Sequence, residues 1–390
     1  ALEYAEVLTG KYGDEGDKLM YRFKDNGDRD VALRYDLTIP LARVVAQNGD
    51  IKRPFKRYQI SPVWRAENTQ KGRFREFYQC DADIVGSTSP LADAELLALS
   101  AFALGKLGVN DFVIRINSRE IISAFYDSLA LDDAAKTAAI RAVDKIDKIG
   151  KEGVAEELKA AGIKADAIDG ILAFADTSID GIENREDLAQ AAESFPAIKT
   201  PLAALVDIIE SAYKLAPEAK FVVDLSIARG LDYYTGIIFE VNLANLPNFG
   251  AVCAGGRYDN LIGMFSNKPV PAVGMSIGLD RLIAALEELK LIKEEKTTAK
   301  VLIVNFDEKL VDEYLKLASE LRAAGINTML YFETADMKKQ LSYASDKGIK
   351  YALIYGSDEA KEGKIVVKDL EKGTQNKIAF DKVADYLIKA

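Results

Sequence analysis

The spacing of hydrophobic and polar residues changes along the chain, and it first predicts a hairpin. Residues 55–63 and 74–85 are apolar and aromatic runs interrupted by polar residues, as is typical of strands. The polar, turn-prone residues 66–72 lie between them, so we expect a long antiparallel hairpin with a mobile loop. Pro62 indicates that the first strand lies at an edge or contains a bulge, because proline has no N–H to donate.

The middle of the chain has a different pattern. In residues 119–215 Ala, Lys, Asp and Glu dominate and apolar residues recur at helical spacing, which predicts a helical insertion. Strand-like runs return at 221–225 and 236–241. We therefore expect residues 1–118 and 216–292 to form one α+β domain, built on an antiparallel sheet flanked by helices, into which the insertion is placed.

The last quarter of the chain reads as a separate domain, residues 298–390. It follows a charged, linker-like stretch at 293–296, after which strand and helix patterns alternate. The expected strands are 301–304, 328–332, 351–355 and 364–367, with a helix at 310–324. This order predicts a small α/β domain with a largely parallel sheet.

Composition excludes several kinds of site. The 390 residues include no histidine, so a histidine general base and a histidine-ligated zinc site are excluded. Cys80 and Cys253 form neither a metal-binding spacing nor a disulfide framework, which favours a reduced, cytoplasmic protein. No apolar run is long enough to cross a bilayer, and the first residues lack the basic region of a signal peptide.

Charge is unevenly distributed over the chain. The net charge of −10 argues against nonspecific nucleic-acid binding. Within residues 51–75, however, Glu67 is accompanied by no other acid, and the basic residues there are Lys52, Arg53, Lys56, Arg57, Arg65, Lys71, Arg73 and Arg75. A local basic surface suits a specific polyanion such as ATP or an RNA end. A solvated charged hairpin is the alternative, and position alone does not decide between them.

Several segments combine charged, aromatic and glycine residues in a way that favours ligand binding. On the predicted hairpin, Arg65 could hold a phosphate through its planar guanidinium group while Phe77 stacks on a purine. Arg281 follows glycines at a helix start, where the helix dipole favours phosphate. Residues 228–236 and 254–259 gather glycines, arginines and tyrosines between apolar strands. The structural alternatives are surface charges beside a core phenylalanine, an ordinary capped helix and simple turns.

Together these segments resemble the motifs of class II aminoacyl-tRNA synthetases, and of the histidyl-tRNA synthetase family in particular. Residues 65–77 resemble motif 2 and residues 278–281 resemble motif 3. Residues 229–234 and 255–259 are similar to the two histidine-specific motifs, and residues 34–38 to the segment that holds the amino group of the substrate. The C-terminal domain is similar to the class II anticodon-binding domain.

The resemblance implies a ligase that joins histidine to ATP as an adenylate, with Mg²⁺, and then transfers it to the histidine tRNA. Asp36, Leu37 and Thr38 would bind the α-amino group of histidine, and Gln79 would lie near its carboxylate. The ligands of the metal are not identified. The family also implies a homodimer for the full-length protein and contact of Gln70 and Lys71 with the tRNA acceptor end.

The imidazole pocket implied by the resemblance is polar. Asp83 and Tyr234 would hydrogen-bond the imidazole, and Tyr233 and Tyr258 would line the pocket. Pairing both ring nitrogens rejects isosteres by roughly 10⁴–10⁵, because a mismatched ligand leaves buried polar groups unpaired.

The ATP site implied by the resemblance is rich in arginine. Arg65 and Arg229 would hold the α-phosphate from opposite sides and, with Gln79, form the catalytic set. Arg73 and Arg281 would hold the γ-phosphate. The two residues implied for adenine are Glu67 and Phe77.

Two departures from the family pattern bear on these expectations. Motif 1, which builds the dimer interface, is expected upstream of residue 1, so dimerisation and activity of this chain are in question. The absence of histidine suggests the hypothesis that synthesis of the enzyme is made independent of its own product, with chance as the alternative. Several histidines in an upstream segment would contradict that hypothesis.

Three other functions remain to be compared with the ligase. One is an inactive paralogue that serves as regulatory subunit of ATP phosphoribosyltransferase, but such paralogues generally lack the C-terminal domain and the catalytic arginines. A second is a synthetase for threonine or proline, against which residues 229–234 argue. A third is a synthetase-like RNA-sensing domain, which normally belongs to a kinase chain.

Overall fold

The computed structural model describes residues 1–182, 184–228, 233–266, 268–292 and 295–389. The chain divides into two compact units, Ala1–Ile292 and Lys293–Ala390. In the described ranges no helix has both the length and the apolarity that a membrane span needs. The predicted domain boundaries, including the insertion at 119–215, stay predictions.

The first unit starts with a small sheet and continues into a large one. Its first elements are β1 (Leu2–Tyr4), α1 (Ala5–Leu8), α2 (Gly13–Lys18), β2 (Arg22–Lys24), β3 (Asp30–Leu33), α3 (Thr38–Gln47), β4 (Phe55–Trp64), β5 (Glu76–Val85), α4 (Pro90–Lys106) and β6 (Phe112–Ser118). The next are α5 (Arg119–Ser128), α6 (Asp133–Val143), α7 (Ile146–Ala160), α8 (Ala165–Ala175), β7 (Ser178–Asp180), α9 (Arg185–Ser194) and α10 (Lys199–Leu215). The last are β8 (Phe221–Asp224), β9 (Ile237–Leu243), β10 (Cys253–Arg257), α11 (Gly263–Ser266), β11 (Ala272–Gly278) and α12 (Leu279–Glu288).

An eight-stranded sheet organises this unit, in the order β4-β5-β11-β10-β9-β6-β8-β7. Neighbouring strands are antiparallel except for the parallel pair β6 and β8. This confirms the predicted fold class, and β4 lies at the edge, as Pro62 indicated. The predicted second hairpin strand began at residue 74, but β5 begins at Glu76. Residues before it form a turn in which Gln70 and Arg73 exchange backbone hydrogen bonds of 3.1 and 2.9 Å.

The segment predicted to be a helical insertion is mostly helical, but it shares its core with the large sheet. Leu205 and Phe174 from its helices belong to the same buried cluster as Leu97 of α4 and Ile114 of β6. The segment also contributes β7, which pairs with β8 and was not predicted. A strand of three residues is too short to show a periodic pattern.

The second unit is a five-stranded sheet with helices. Its elements are β12 (Val301–Ile303), α13 (Val311–Ala323), β13 (Thr328–Leu330), α14 (Met337–Asp346), β14 (Tyr351–Ile354), α15 (Ser357–Glu362), β15 (Lys364–Asp369), β16 (Gln375–Ala379) and α16 (Val383–Lys389). The order is β13-β12-β14-β15-β16, with β12 parallel to β13 and β14, while β15 is antiparallel to both of its neighbours. The sheet is thus parallel over three strands, and β16 was not predicted.

A buried ion pair joins α4 to β10 in the first unit. The Arg257 guanidinium group contacts the Asp93 carboxylate at 2.7 and 2.9 Å, and the two side chains are 9% and 3% exposed. Arg257 also donates to the backbone oxygen of Ser87 at 3.0 Å and contacts Asp259 at 3.1 Å. These contacts hold the end of β10, and with it residue 258, against the helix.

We expect Asp93→Asn to lower the free energy of unfolding by about 3 kcal/mol, because it removes the buried counter-charge of Arg257 and leaves only the more exposed Asp259. Urea denaturation of the purified protein measures this. The matched control is Asp127→Asn, which breaks an exposed 2.7 Å pair with Lys136 and should cost less than about 1 kcal/mol. Equal effects of the two substitutions would contradict the prediction.

Candidate active site

A cavity of about 310 Å³ lies against β5, β10 and β11, and residues distant in sequence converge on it. It is reached by the segment before α3, the turn between β4 and β5, and the start of α12. The predicted site residues that line it are Asp36, Thr38, Arg65, Glu67, Arg73, Phe77, Gln79, Asp83, Tyr233, Tyr234, Tyr258 and Arg281. The structure thus brings nearly the whole predicted set into one cavity.

Two predicted site residues are not in this lining. Leu37 is completely buried next to Asp36, so its side chain belongs to the core. Arg229 lies outside the described residues. The candidate tRNA contacts Gln70 and Lys71 are both exposed in the turn before β5, and Lys71 forms an ion pair with Glu288 of α12.

The alternation of β5 places its polar residues on the face that bears the cavity. Phe77, Gln79 and Asp83 are two residues or a multiple of two apart, so they point to the same face, and Asp81 lies between them. Gln79, Asp81 and Asp83 are all buried. Buried polar side chains need hydrogen-bond partners close by. Three of them on one face of a strand are unusual outside a binding site.

The first acidic group of the cavity is Asp36. Its carboxylate accepts hydrogen bonds from the Tyr12 hydroxyl at 2.9 Å, the Ile39 backbone N–H at 3.1 Å and the Tyr233 hydroxyl at 3.3 Å. Burial raises the pKa of Asp36 despite these donors. A ligand ammonium group would favour the ionised carboxylate, so this end of the cavity is suited to a cation.

The second acidic group is Asp83, which faces a cation of the protein itself. Arg57 of β4 lies 2.9 Å from the Asp83 carboxylate and also donates to the backbone oxygen of Leu37 at 3.1 Å. Tyr258 donates its hydroxyl to Asp83. Burial raises the pKa of Asp83, and the positive charge of Arg57 opposes that shift. Asp83 is therefore positioned by two partners from different strands.

Glycine at position 274 makes room for this arrangement. A Cβ atom built on Gly274 would lie 2.1 Å from the Asp83 carboxylate oxygen, which no real contact allows. Glycine has no Cβ atom, so its backbone can approach a neighbouring group closely. At residue 274 the close approach is to a carboxylate of the protein.

The other end of the cavity is cationic. The Arg65 guanidinium carbon lies 4.3 Å from the centre of the Tyr35 ring and 5.1 Å from that of Phe77, and its Nε donates to the Tyr35 backbone oxygen at 3.2 Å. Arg281 donates to the Ala251 backbone oxygen at 2.9 Å. Burial, and then the nearby charge of Arg73, lower the pKa of Arg281. Clustered cations whose positive charges repel one another are suited to binding a polyanion.

Glu67 is the acid placed among these arginines, at 3.6 Å from Arg73 and 4.0 Å from Arg65. Among the described residues no group of three or more acidic or cysteine side chains could hold a metal ion. Mg²⁺ usually binds one or two carboxylates together with ligand phosphates and water. A Mg²⁺ ion at this site would therefore enter with a phosphate-bearing ligand, which would supply most of its coordinating oxygens.

Several residues at the site were not predicted from the sequence. Tyr12 comes from a segment without any motif, and Arg57 was counted only as part of a basic surface. Ser276 and Cys253 line the cavity beside the predicted residues. Asp81 was also missed, although the alternation of β5 from Gln79 onward could have indicated it.

Comparison with known proteins identifies the family to which the chain is similar. The family model described as histidyl-tRNA synthetase matches residues 1–282, and the anticodon binding domain model matches residues 300–390. The histidine–tRNA ligase of Cytophaga hutchinsonii is 43% identical over 423 residues, covering 100% of this chain and 90% of that protein. That of Rhodopirellula baltica is 42% identical over 394 residues, covering 100% and 89%.

A solved structure agrees with these relatives. The crystal structure of histidyl-tRNA synthetase from Nostoc sp. PCC 7120 superposes with a TM-score of 0.81 at 34% identity, covering 100% of this chain and 90% of that chain. The agreement extends through both units of the fold. The chain therefore belongs to the histidyl-tRNA synthetase family.

Proposed function

We propose that this chain is a histidine–tRNA ligase. It activates L-histidine with ATP to histidyl-adenylate and pyrophosphate, and then transfers histidine to the 3′ end of its tRNA. The observation that carries the proposal is that one cavity of about 310 Å³ is lined both by the buried carboxyl groups of Asp36 and Asp83 and by Arg65, Arg73 and Arg281. An amino acid and a nucleotide triphosphate, whose reacting groups must meet, need such a division of charge.

The acidic end is assigned to histidine. Asp36 and Thr38 hold the α-ammonium group, whose positive charge favours the ionised form of the buried Asp36 carboxyl group. Asp83 and Tyr234 hydrogen-bond the imidazole, while Tyr233 and Tyr258 enclose it. The fixed positions of Asp83, held by Arg57 and Tyr258, and of Asp36 orient the substrate before reaction.

The cationic end is assigned to ATP. The histidine carboxylate attacks the α-phosphorus as pyrophosphate departs, and it needs no general base because it is already ionised. Arg65, with Arg229, stabilises the charge that develops on the α-phosphate, and Gln79 positions the substrate carboxylate. Arg73 and Arg281 hold the γ-phosphate, and Glu67 and Phe77 contact adenine. Bound Mg²⁺ would neutralise phosphate charge at this end.

The regulatory alternative is not favoured. The Cytophaga and Rhodopirellula relatives, which match along the full length of this chain, are histidine–tRNA ligases. Residues 300–390 match the anticodon binding domain model, the part that such paralogues generally lack. The described catalytic arginines, Arg65 and Arg281, both line the cavity.

We further propose the surroundings in which this reaction occurs. The protein would act in the cytoplasm as a homodimer, with Gln70 and Lys71 near the acceptor end of the tRNA. Residues 119–215 would form the helical insertion of the catalytic domain, and residues 298–390 the anticodon-binding domain. These assignments are supported by membership of the family.

The C-terminal unit presents one aromatic side chain that suits the proposed RNA partner. Phe332, in the loop after β13, is 85% exposed. The loop backbone is nevertheless fixed, because Asn305 donates to the Phe332 oxygen at 3.0 Å and Gln340 donates to the Ala335 oxygen at 2.7 Å. Gln340 is completely buried and Asn305 nearly so. An exposed ring on a fixed backbone is suited to stacking on an unpaired nucleobase.

The function is tested by amino-acid-dependent ATP–pyrophosphate exchange, with each standard amino acid supplied separately. We expect exchange with histidine alone, because the acidic pocket pairs with both ring nitrogens. Variant Arg65→Ala should reduce the exchange rate by about 100-fold, since it removes a cation from the reacting phosphate. Absence of exchange with histidine, in protein that retains its folded structure, would exclude the ligase.

We expect Phe332→Ala to raise KM for the histidine tRNA by roughly tenfold, because it removes the stacking surface. Histidine-dependent pyrophosphate exchange should not change, since it does not require tRNA. Phe332→Trp should restore KM, and Leu315→Ala, at a 52% exposed position of α13, serves as the matched control. An unchanged KM in Phe332→Ala would show that this ring does not contact the tRNA.

A further inference from the structure

Asp81 is a buried acid next to the substrate residues, and the proposed reaction gives it no role. It is 3% exposed and lies on β5 between Gln79 and Asp83. Its Oδ1 atom is buried and has no hydrogen-bond partner. Arg57, on the adjacent strand, is paired with Asp83. Burying a carboxyl group without a full set of hydrogen-bond partners lowers the stability of the fold.

Asp81 is linked to the cavity through Ser276 and Gln79. Ser276 lies directly opposite Asp81 in the β5–β11 ladder, where its hydroxyl group lowers the pKa of the Asp81 carboxyl group. Gln79 donates from Nε2 to the Ser276 Oγ at 2.7 Å. The Gln79 Oε1 atom is buried without a partner, on a residue that lines the cavity. The amide group therefore offers one end to Ser276 and the other to a ligand.

The single hydrogen of the Ser276 hydroxyl group determines which end of the amide group is offered. If Asp81 is ionised, Ser276 donates to it and accepts from Gln79 Nε2, so the amide oxygen faces the ligand. If Asp81 is protonated, it donates to Ser276, whose own hydrogen can then be given to the amide oxygen of Gln79. The amide group is then turned, and its NH₂ group faces the ligand.

We propose that Asp81 and Ser276 form a proton relay that selects which end of the Gln79 amide group faces the bound substrate. Asp81 is thus a positioning residue that acts through Gln79. The inference rests on the proposed function, in which Gln79 lies near the histidine carboxylate. A carboxylate accepts hydrogen bonds, so it is held by the amide NH₂ group and repelled by the amide oxygen. Protonated Asp81 therefore favours histidine binding.

The relay can change state near neutral pH. Burial, and then the negative charge of Asp83, raise the pKa of Asp81 to about 8. The titratable and charged groups that surround Asp81 are Arg57 on β4, Cys80 and Asp83 on β5, Asp36 before α3, Tyr234, and Cys253 on β10. Burial raises the pKa of Tyr234 and of Cys80, and it raises the pKa of Cys253 to about 12, so none of these three groups is expected to switch with Asp81.

The raised pKa of Asp81 predicts how the stability of the fold depends on pH. Between pH 4 and pH 8 folded Asp81 keeps a proton that the unfolded chain releases, so stability should fall as pH rises through this window. Asp81→Asn removes that dependence. We expect its thermal midpoint to exceed that of the wild type by an amount that grows from pH 5 to pH 8. A pH-independent difference would contradict the burial of an acid at this position.

The relay itself is tested by KM for histidine in pyrophosphate exchange from pH 6.5 to pH 9.5. Relative to Asp81→Asn, which stays neutral, wild-type KM should rise about tenfold between pH 7 and pH 9 as the amide group turns. The substrate histidine also titrates over this pH range, but it does so equally with both proteins, so its effect cancels in the ratio of wild-type KM to Asp81→Asn KM. Ser276→Ala should also lack the rise. Asp224→Asn, a buried acid elsewhere on the sheet, should keep it.

Parallel profiles of the wild type and Asp81→Asn would overturn the relay while leaving the ligase proposal intact. No exchange with histidine at any pH would instead overturn the ligase proposal. Calorimetry of histidine binding at pH 8.5, in buffers of different ionisation enthalpy, provides a test that needs no catalysis. The wild type should take up more protons than Ser276→Ala, and equal uptake would overturn the relay.

Discussion

Burial of carboxyl groups beside the cavity is the constraint on which the rest of the site depends. Asp36, Asp81 and Asp83 are 2%, 3% and 3% exposed, and Arg57 is paired with Asp83. Buried acids are tolerated only where hydrogen bonds or opposite charges hold them. Tyrosine hydroxyl groups hold Asp36, Arg57 and a tyrosine hold Asp83, and burial raises the pKa of Asp81. The part of the cavity beside these acids is therefore suited to a cation.

The antiparallel sheet is what makes this concentration of polar groups possible. Alternation along β5 places every second side chain on the face that bears the cavity. Strands β4 and β11 flank β5, and their residues lie directly opposite these side chains. Gly274 leaves room for the Asp83 carboxylate, and the buried pair of Arg257 with Asp93 holds the strand that carries Tyr258. Packing and chemistry are thus connected, since each polar side chain is positioned by a backbone that the core fixes.

Local pattern explains what could be predicted from the sequence. The alternating runs around residues 66–72 predicted the β4–β5 hairpin, and the helical spacing of residues 119–215 predicted mostly helices. The short strand β7 carries too few residues to show any period. Tyr12 and Arg57 reach their partners only through tertiary contacts, at Asp36 and Asp83, so no local pattern could assign them. The roles of the motif residues came from the family resemblance and remain proposals.

The absence of histidine from the chain has a consequence for how the proposed substrate is recognised. With no imidazole of its own, the protein lines the cavity with carboxyl, hydroxyl, amide, guanidinium and thiol groups, and the proposed substrate would supply the imidazole. Burial raises the pKa of Asp83, and the positive charge of Arg57 and the Tyr258 hydroxyl group oppose that shift. At Asp81 the negative charge of Asp83 adds to the effect of burial, and the pKa is raised to about 8. Two acids two residues apart on one strand therefore have different electrostatic surroundings, which suits Asp83 to the proposed contact with substrate and Asp81 to the proposed adjustment of Gln79.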